Sequence, residues 1–446
     1  MTDSPPILPR DLGDGLVLRR STPADAEALA EFNKLIHRDP GVAEADEPVA
    51  AWTRDLLTRA HPTFNPDDFT IVEDTRIGKI VSSLNTISQT WAYGGISFGV
   101  GRPELVGTLP EYRRRGLVRA QFEVIHAWSA DRGELVQAIT GIPFYYRQFG
   151  YEMALALGGG RSGLLSAVPK LKEGEIEPYR VRPAVEADLP FIVALDAAAS
   201  RRWLVTCVRS EAEWRYELSG KNEINVNRLA WAIVEAASGA PVGLVGHAWR
   251  VWEGNLGVAY VEVAAGVSWL AAAPSILRYL GGTAQAYASR DGKPADRLQF
   301  WLAQEHPFFA AAQDLLPTIR RPYAWYLRVA DLPGFLRHIT PVLEDRLARS
   351  IAVGHTGVLK LSFYRDGLRL AFDAGRLTVV EPWMPTHDDG GGAAFPGLSF
   401  LQLLFGYRSL EELRGAFPDC WADGDAPRAL LGILFPKQPS DFWPVA

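Results

Sequence analysis

The chain has 446 residues, 48% of them hydrophobic and 22% charged, and a net charge of -6. That length exceeds one ordinary core and predicts roughly two to four domains, while the composition excludes a disordered chain and the acidic balance argues against nucleic acid as a partner. Cys207 and Cys420 form neither a disulfide framework nor a CxxC site, the N-terminus lacks a signal-peptide pattern, and no stretch has the length of a membrane span, so a cytoplasmic protein with no membrane partner is expected.

The first segment runs from about Gly15 to Gly160. "GLVLRRSTPADAEALAEFNKLIHRD" predicts a strand, a cap at Ser21–Thr22 with Pro23 in the first turn, and an amphipathic helix. "FTIVEDTRIGKIVSSLNTISQTWA" predicts two strands turning at Asp74–Thr75, and "GISFGVGRPELVGTLP" a glycine-broken strand. "RRRGLVRAQFEVIHAWSADRG" predicts a helix with Leu117, Val118, Phe122, Ile125 and Trp128 on one apolar face and Gly133 as its stop. "LVQAITG" reads as a short buried strand, and "IPFYYRQFGYEMALAL" as a short helix followed by a strand.

"GGGRSG" and "KLKEGEIEP" suggest a boundary between residues 158 and 178. "YRVRPAVEADLPFIVALDAAASRRW" then restarts the opening pattern, and "LAWAIVEAASGAPVGLVGHAWRVW" gives a second strand pair turning at Ser238–Gly239. "LGVAYVEVAAGVSWLAAAP" reads as a buried strand, and "HPFFAAAQDLLPTIRRPYAWYLRV" echoes the aromatic stretch of the first segment. The pattern is that of a diverged duplication of domain size, whose second copy lacks "RRRG". After Asp331, "LPGFLRHITPVLEDRLA" predicts a helix, and "GVLKLSFYRDGLRLAFDAGRLTVVEPW" a meander turning at Asp366–Gly367 and Ala374–Gly375. "HDDGGG" is a loop, "LSFLQLLFG" and "SLEELRGAF" are helices, and the end "FPKQPSDFWPVA" is unusually aromatic.

The chemistry concentrates in "VGTLPEYRRRGLVRA", where a strand gives way to a helix. Unpaired amides and the helix dipole make such a junction an anion site. Gly116 permits close backbone approach, and arginines add bidentate donors, so a pyrophosphate fits. The competing reading is a solvated basic turn. A Walker loop or dinucleotide fingerprint is excluded, because neither GK[ST] nor GxGxxG is present.

Arg113–Arg114–Arg115–Gly116–Leu117–Val118 resembles the [RQ]xxGx[GA] loop of the GNAT acetyltransferases, with Val118 where Gly or Ala is commoner. "VGTLP" is similar to the V-x-V-x-P strand of that family, with Thr108 in place of the second Val. "YYRQFGY" resembles the Y-G-R-F-G-Y stretch of the Eis-like aminoglycoside acetyltransferases. The resemblance implies an α/β (α+β) fold in three parts: a catalytic GNAT domain over 1–160, a degenerate GNAT-like domain over 161–330, and a sterol-carrier-protein-like domain over 331–446. Tandem mixed sheets flanked by helices are expected in the first two.

It further implies acetyl-CoA as cosubstrate and no metal. The pyrophosphate contacts fall on Arg114, Arg115, Gly116, Leu117, Val118 and Arg119. Backbone groups of Val106, Gly107 and Thr108 face the pantetheine and thioester, with the Val106 amide polarising the carbonyl. Gly141 and Ile142 take a further cofactor position, where Eis-like enzymes usually have Ser-Glu, so only backbone contacts carry over. Tyr146 takes the place of the general acid, with Tyr145 as donor if the register differs by one and Tyr151 as packing. The C-terminal carboxylate, here on Ala446, takes the place of the general base; the alternative is a tail that only docks. The acceptor is a small primary amine, such as an aminoglycoside, polyamine or lysine-like compound, and a homo-oligomer, trimeric or hexameric, is implied.

His126 and His247 are expected to be structural, His306 and His387 lie in loops, and no pair has metal-ligand spacing. "AEADE" at 43–47 either lines a cation entrance or caps a helix. Two functional classes stand: an acetyl-CoA-dependent N-acetyltransferase, or an apolar-ligand binder with a relic acetyltransferase domain.

Overall fold

The computed structural model describes residues 7–38, 46–441 and 443–445. Three sheets organise them. The first runs in the spatial order Arg10–Gly13, Leu16–Arg20, Phe69–Asp74, Lys79–Tyr93, Ile96–Thr108, Val136–Ile139, Tyr323–Arg328, Glu152–Leu157. Val205–Val208 adds a ninth strand against the far end of Lys79–Tyr93. Ile96–Thr108 and Val136–Ile139 are parallel, joined by the crossover helix Leu117–Asp131, as parallel neighbours require.

The second sheet has seven strands: Tyr179–Pro183, Leu229–Ala236, Pro241–Ala248, Asn255–Val263, Arg297–Phe300, Gly160–Leu164, Thr318–Arg320. Its one parallel pair, Asn255–Val263 with Arg297–Phe300, is bridged by the helix Trp269–Asp291. The two sheets therefore repeat one plan, and they exchange strands. Tyr323–Arg328 enters the first sheet between Val136–Ile139 and Glu152–Leu157, while Gly160–Leu164 enters the second between Arg297–Phe300 and Thr318–Arg320. Each inserted strand satisfies backbone groups on both edges, so neither half closes its sheet alone.

The third sheet orders Arg376–Trp383, Gly367–Asp373, Gly357–Ser362, Ala393–Ala394 and Trp421–Ala422. Its core is continuous with the first sheet: Phe335 meets Tyr93 and Phe98 edge-on at ring separations of 6.1 and 5.3 Å.

Three elements differ from the sequence expectation. The apolar stretch around Glu262 is a strand only to Val263, and Trp269 opens a helix of 23 residues capped by Ser268. Its small apolar residues suit a buried helix face as well as a strand. The single helix expected after Asp331 is two, Leu332–His338 and Thr340–Ala348, because Pro341 cannot continue the first and suits the opening turn of the next. Asp425–Leu434 is a further helix, with Leu430, Leu431 and Leu434 buried.

Candidate active site

The strand Ile96–Thr108 pairs with Val136–Ile139 only at Val100 and Gly101. Its register on the other neighbour shifts between Glu104 and Gly107, and Leu105 has φ +52°, uncommon for a branched residue. This bulge turns the strand away from Val136–Ile139 and opens a wedge in the sheet. Gly107 is required on the wedge's outer side: a Cβ there would lie 2.6 Å from Cγ2 of Ile36 on the helix Ala26–Ile36.

The wedge is the floor of a cavity of about 1130 Å³, lined along it by Glu104, Leu105, Val106, Gly107 and Thr108. Thr108 is fixed by its hydroxyl against Ser82 Oγ at 2.8 Å. At one end the loop from Arg113 to Gly116 leads into the helix Leu117–Asp131, whose first intrahelical bond here is Ala120 N to Gly116 O at 3.0 Å. The amides of Leu117, Val118 and Arg119 precede that bond and stand at the open helix end, beside the cavity. Gly116 takes φ +76°, and Arg114 takes φ +63°, a left-handed conformation held on a charged residue at the rim. Arg115 pairs with Asp14 at 2.8 Å, and Arg119 donates to Gln148 Oε1 at 3.0 Å over the ring of Phe149. Arg114 is exposed, with no protein partner among the described residues. The outcome is a cationic, amide-rich mouth suited to a pyrophosphate.

At the inner end, Gly141 and Ile142 follow the strand Val136–Ile139 and line the same cavity. Tyr145 and Tyr146 stand on a single helical turn, Tyr145–Phe149. Tyr146 is buried, and its ring meets Phe122 at 6.1 Å and Tyr326 at 5.5 Å. Tyr326 belongs to the strand received from the second half, and its hydroxyl accepts from the Phe144 amide at 2.5 Å, so the exchanged strand braces the turn that carries Tyr146. The Tyr146 hydroxyl lies 3.8 Å from where a Cβ of Gly141 would be, and has no hydrogen-bond partner among the described residues. Burial, then the charge of Glu104, pushes its pKa well above the phenol value. Tyr151 is fully buried, its hydroxyl bonded to His126 Nε2 at 2.9 Å, and it packs away from the cavity. Ala446 lies outside the described residues, as do residues 43–45 of the acidic run. Asp46 accepts from the Val49 amide at 3.3 Å, capping the helix Glu47–Thr58, and also lines the cavity.

Several lining residues carry no motif. Glu104 pairs with Arg102 at 2.7 Å. His37 and Trp52 come from the two helices over the wedge, and Val226 and Asn227 come from the second half. Burial lowers the His37 pKa to about 4, so the ring is neutral near pH 7. Alternation along the strand marks Glu104 as a polar residue next to the wedge; the others meet there only through tertiary packing.

A splayed parallel pair, a cationic loop at a helix start and a buried tyrosine opposite line one cavity on a mixed sheet. Residues 23–154 match the family model described as acetyltransferase (GNAT) domain. The chain thus carries an acetyltransferase (GNAT) domain over those residues, which makes it an enzyme, and domains of this kind use an acyl-CoA. Its fold is similar over nearly the whole length to a GCN5-related N-acetyltransferase from Kribbella flavida, at 20% identity and TM-score 0.62, covering 96% of this chain and 97% of that one. A GCN5-related N-acetyltransferase from Anabaena variabilis aligns at 15% identity and TM-score 0.64, over 96% and 100%. Eis1 from Mycobacterium abscessus aligns at 15% and 0.57, over 95% and 98%. No curated protein matches the sequence. Among the described residues no helix is long and apolar enough to cross a membrane.

Proposed function

We propose that the chain transfers acetyl from acetyl-CoA to a primary amine by direct attack, within an Eis-like architecture. The observation that carries this is one cavity that joins the Arg113–Arg119 loop, the opened strand at Leu105–Thr108 and Tyr146. The amides of Leu117–Arg119 and the guanidinium of Arg114 hold the pyrophosphate. The Val106 amide polarises the thioester carbonyl. The amine nitrogen bonds to that carbon, the carbon–sulfur bond breaks, and the leaving thiolate takes the Tyr146 proton. A raised pKa keeps that proton in place at neutral pH, at the cost of a weaker driving force toward a thiolate of pKa about 8.5.

The proton lost by the amine goes to a carboxylate. Glu104, which lines the cavity, is one acceptor in this reading, and the carboxylate of Ala446 is the other. Support for the second is indirect: the Val445 carbonyl accepts from Gln89 Nε2 at 2.6 Å and from Arg102 at 3.0 Å, and Arg102 in turn holds Glu104. The sterol-carrier-like assignment of residues 331–446 belongs to the same proposal; Leu361, Leu370, Phe395 and Phe400 fill the space between that sheet and its helices, which favours a structural role. Thiol release from acetyl-CoA with a panel of primary amines tests the reading. Acceleration by at least one amine, lost in Tyr146→Phe, is expected, and no acceleration by any amine would remove it.

A further inference from the structure

The Tyr146 phenol is set in place by backbone and packing. Its ring meets Phe122, Tyr145 and Tyr326 at 6.1, 5.3 and 5.5 Å, and no hydrogen bond among the described residues holds its hydroxyl. Ring contacts of this kind are weak singly, so the place of the hydroxyl depends on the turn Tyr145–Phe149 that carries it. That turn is bounded on both sides by left-handed residues, Phe144 at φ +65° and Gly150 at φ +84°. Glycine takes that conformation freely and phenylalanine does not. The Phe144 ring is 73% exposed, with the Arg147 guanidinium 5.4 Å from its centre, so burial does not hold it there. A strained residue persists only where its surroundings over-determine it.

One strand does so here. Tyr323–Arg328 lies between Val136–Ile139 and Glu152–Leu157, the two strands that the turn connects. Tyr326 stands opposite Ile139, and its ladder with Glu152–Leu157 slips between Trp325 and Tyr326, a bulge of the sort that re-aims a side chain. The Tyr326 ring is fully buried, and its hydroxyl accepts from the Phe144 amide at 2.5 Å. Two residues on, Arg328 donates to Gln137 Oε1 at 2.7 Å and lies against Gly150, its Nε 3.6 Å from where a Cβ there would be. The strand therefore meets the turn at both of its left-handed ends.

We propose that Tyr326 is a positioning residue for the acid: its hydroxyl holds Phe144 in the left-handed conformation that places the Tyr146 phenol at the wedge. The proposal rests on the acetyl-transfer reading and deepens it. Tyr326 is not among the residues that line the cavity, so it acts through Tyr146. The second half, which lacks the arginine loop, thereby takes part in the reaction by keeping the acid in register, and acid catalysis depends on the strand Tyr323–Arg328 being seated in the first sheet.

Tyr326→Phe keeps the ring against Tyr146 and removes only the oxygen that the Phe144 amide bonds. The test compares wild type, Tyr326→Phe, Phe144→Gly and Tyr146→Phe, with Tyr326→Phe also added to each of the last two, in steady-state thiol release with the best amine of the panel, calorimetry with acetyl-CoA and thermal melting. In Tyr326→Phe kcat is expected to fall about tenfold, with KM and Kd for acetyl-CoA within about twofold of wild type. Added to Phe144→Gly, whose backbone takes positive φ without help, the same change should cost about threefold or less. Added to Tyr146→Phe it should cost less than about twofold, because the group it positions has already lost its proton donor. A packing role gives the same loss in all three backgrounds. That result, a wild-type kcat in Tyr326→Phe, or a loss of acetyl-CoA affinity or melting temperature in step with kcat would overturn the proposal while leaving acetyl transfer standing. Full activity in Tyr146→Phe would remove the acid itself, and no thiol release with any amine would remove the acetyl-transfer reading; either takes this proposal with it.

Discussion

Arg102 donates a hydrogen bond to the backbone carbonyl of Val445 at 3.0 Å, across 343 positions of chain. Its guanidinium also pairs with Glu104 at 2.7 Å, so one buried arginine links the tail to a carboxylate of the cavity. Glu104→Gln keeps the shape and removes one of the two carboxylates proposed as the base. We expect kcat to fall about a hundredfold with the dissociation constant for acetyl-CoA unchanged. Arg102→Met should instead lower stability by about 3 kcal/mol, because it leaves Glu104 poorly compensated and the Val445 carbonyl short of a donor. Stopped-time thiol release and thermal melting separate the two effects. A fully active Glu104→Gln would move the base elsewhere.

Arg114 stands exposed at the cavity rim with φ +63°. Arg114→Glu inverts one charge facing the pyrophosphate and should raise KM for acetyl-CoA at least about tenfold. Arg114→Gly loses the charge but relieves the left-handed backbone, so it should weaken binding while leaving the melting temperature equal or higher. Calorimetric titration with acetyl-CoA checks both; unchanged affinity in Arg114→Glu would remove the pyrophosphate assignment.

Tyr146→Phe retains the ring contacts with Phe122 and Tyr326 and deletes a hydroxyl that bonds nothing in the fold. Melting temperature should hold while kcat drops about a hundredfold. Because burial raises its pKa, the acid form persists as pH rises, and the wild-type rate should show no loss from this group below about pH 10. A collapse in Tyr145→Phe with normal Tyr146→Phe activity would transfer the acid role to the half-buried neighbour.

What could be read in the sequence was contiguous. The arginine loop, the strand before it and the aromatic turn each occupy a few adjacent residues, and the cavity joins them. Residues that meet only through packing gave no signal. His37, Trp52 and Asn227 sit on three separated segments, and nothing local says that they share a wall. The bulge at Leu105 was hidden because no glycine marks its positive φ. The entry of Tyr323–Arg328 into the first sheet was equally hidden, because that strand has the pattern of one that stays in its own half; only ladder pairing decides between the edges.

Three histidines should make the fold acid-sensitive. Burial depresses the pKa of His37 to about 4 and of His61 and His126 to about 3. Their unfolded values lie near 6.5, so below about that pH the unfolded chain binds protons that the folded chain refuses. Stability is therefore present above pH 6.5 and is lost as pH falls toward about 4. Melting temperatures from pH 8 to 4 should show this slope, and His61→Phe, which retains a ring against Tyr216, should make it shallower. An unaltered slope in His61→Phe would place the acid sensitivity in other groups.

The tail gives the last test, because docking and catalysis make different demands on it. Trp443 meets Trp231 edge-on at 5.2 Å, lies between Arg209 and Lys221 at 5.4 and 5.5 Å, and its carbonyl accepts from Arg209 Nε at 3.1 Å. Val445 is buried. Trp443→Ala should cost about 3 kcal/mol of stability through lost packing, whatever the tail does in catalysis. Adding one glycine after Ala446 leaves those anchors in place and displaces the carboxylate by about 3.5 Å. Proton transfer needs hydrogen-bond reach or a single bridging water, so a catalytic carboxylate there should lose most of kcat at unchanged melting temperature. If the extended chain turns over at the wild-type rate, Ala446 takes no part and Glu104 is the base. If Glu104→Gln is active and the extended chain is not, the roles are reversed.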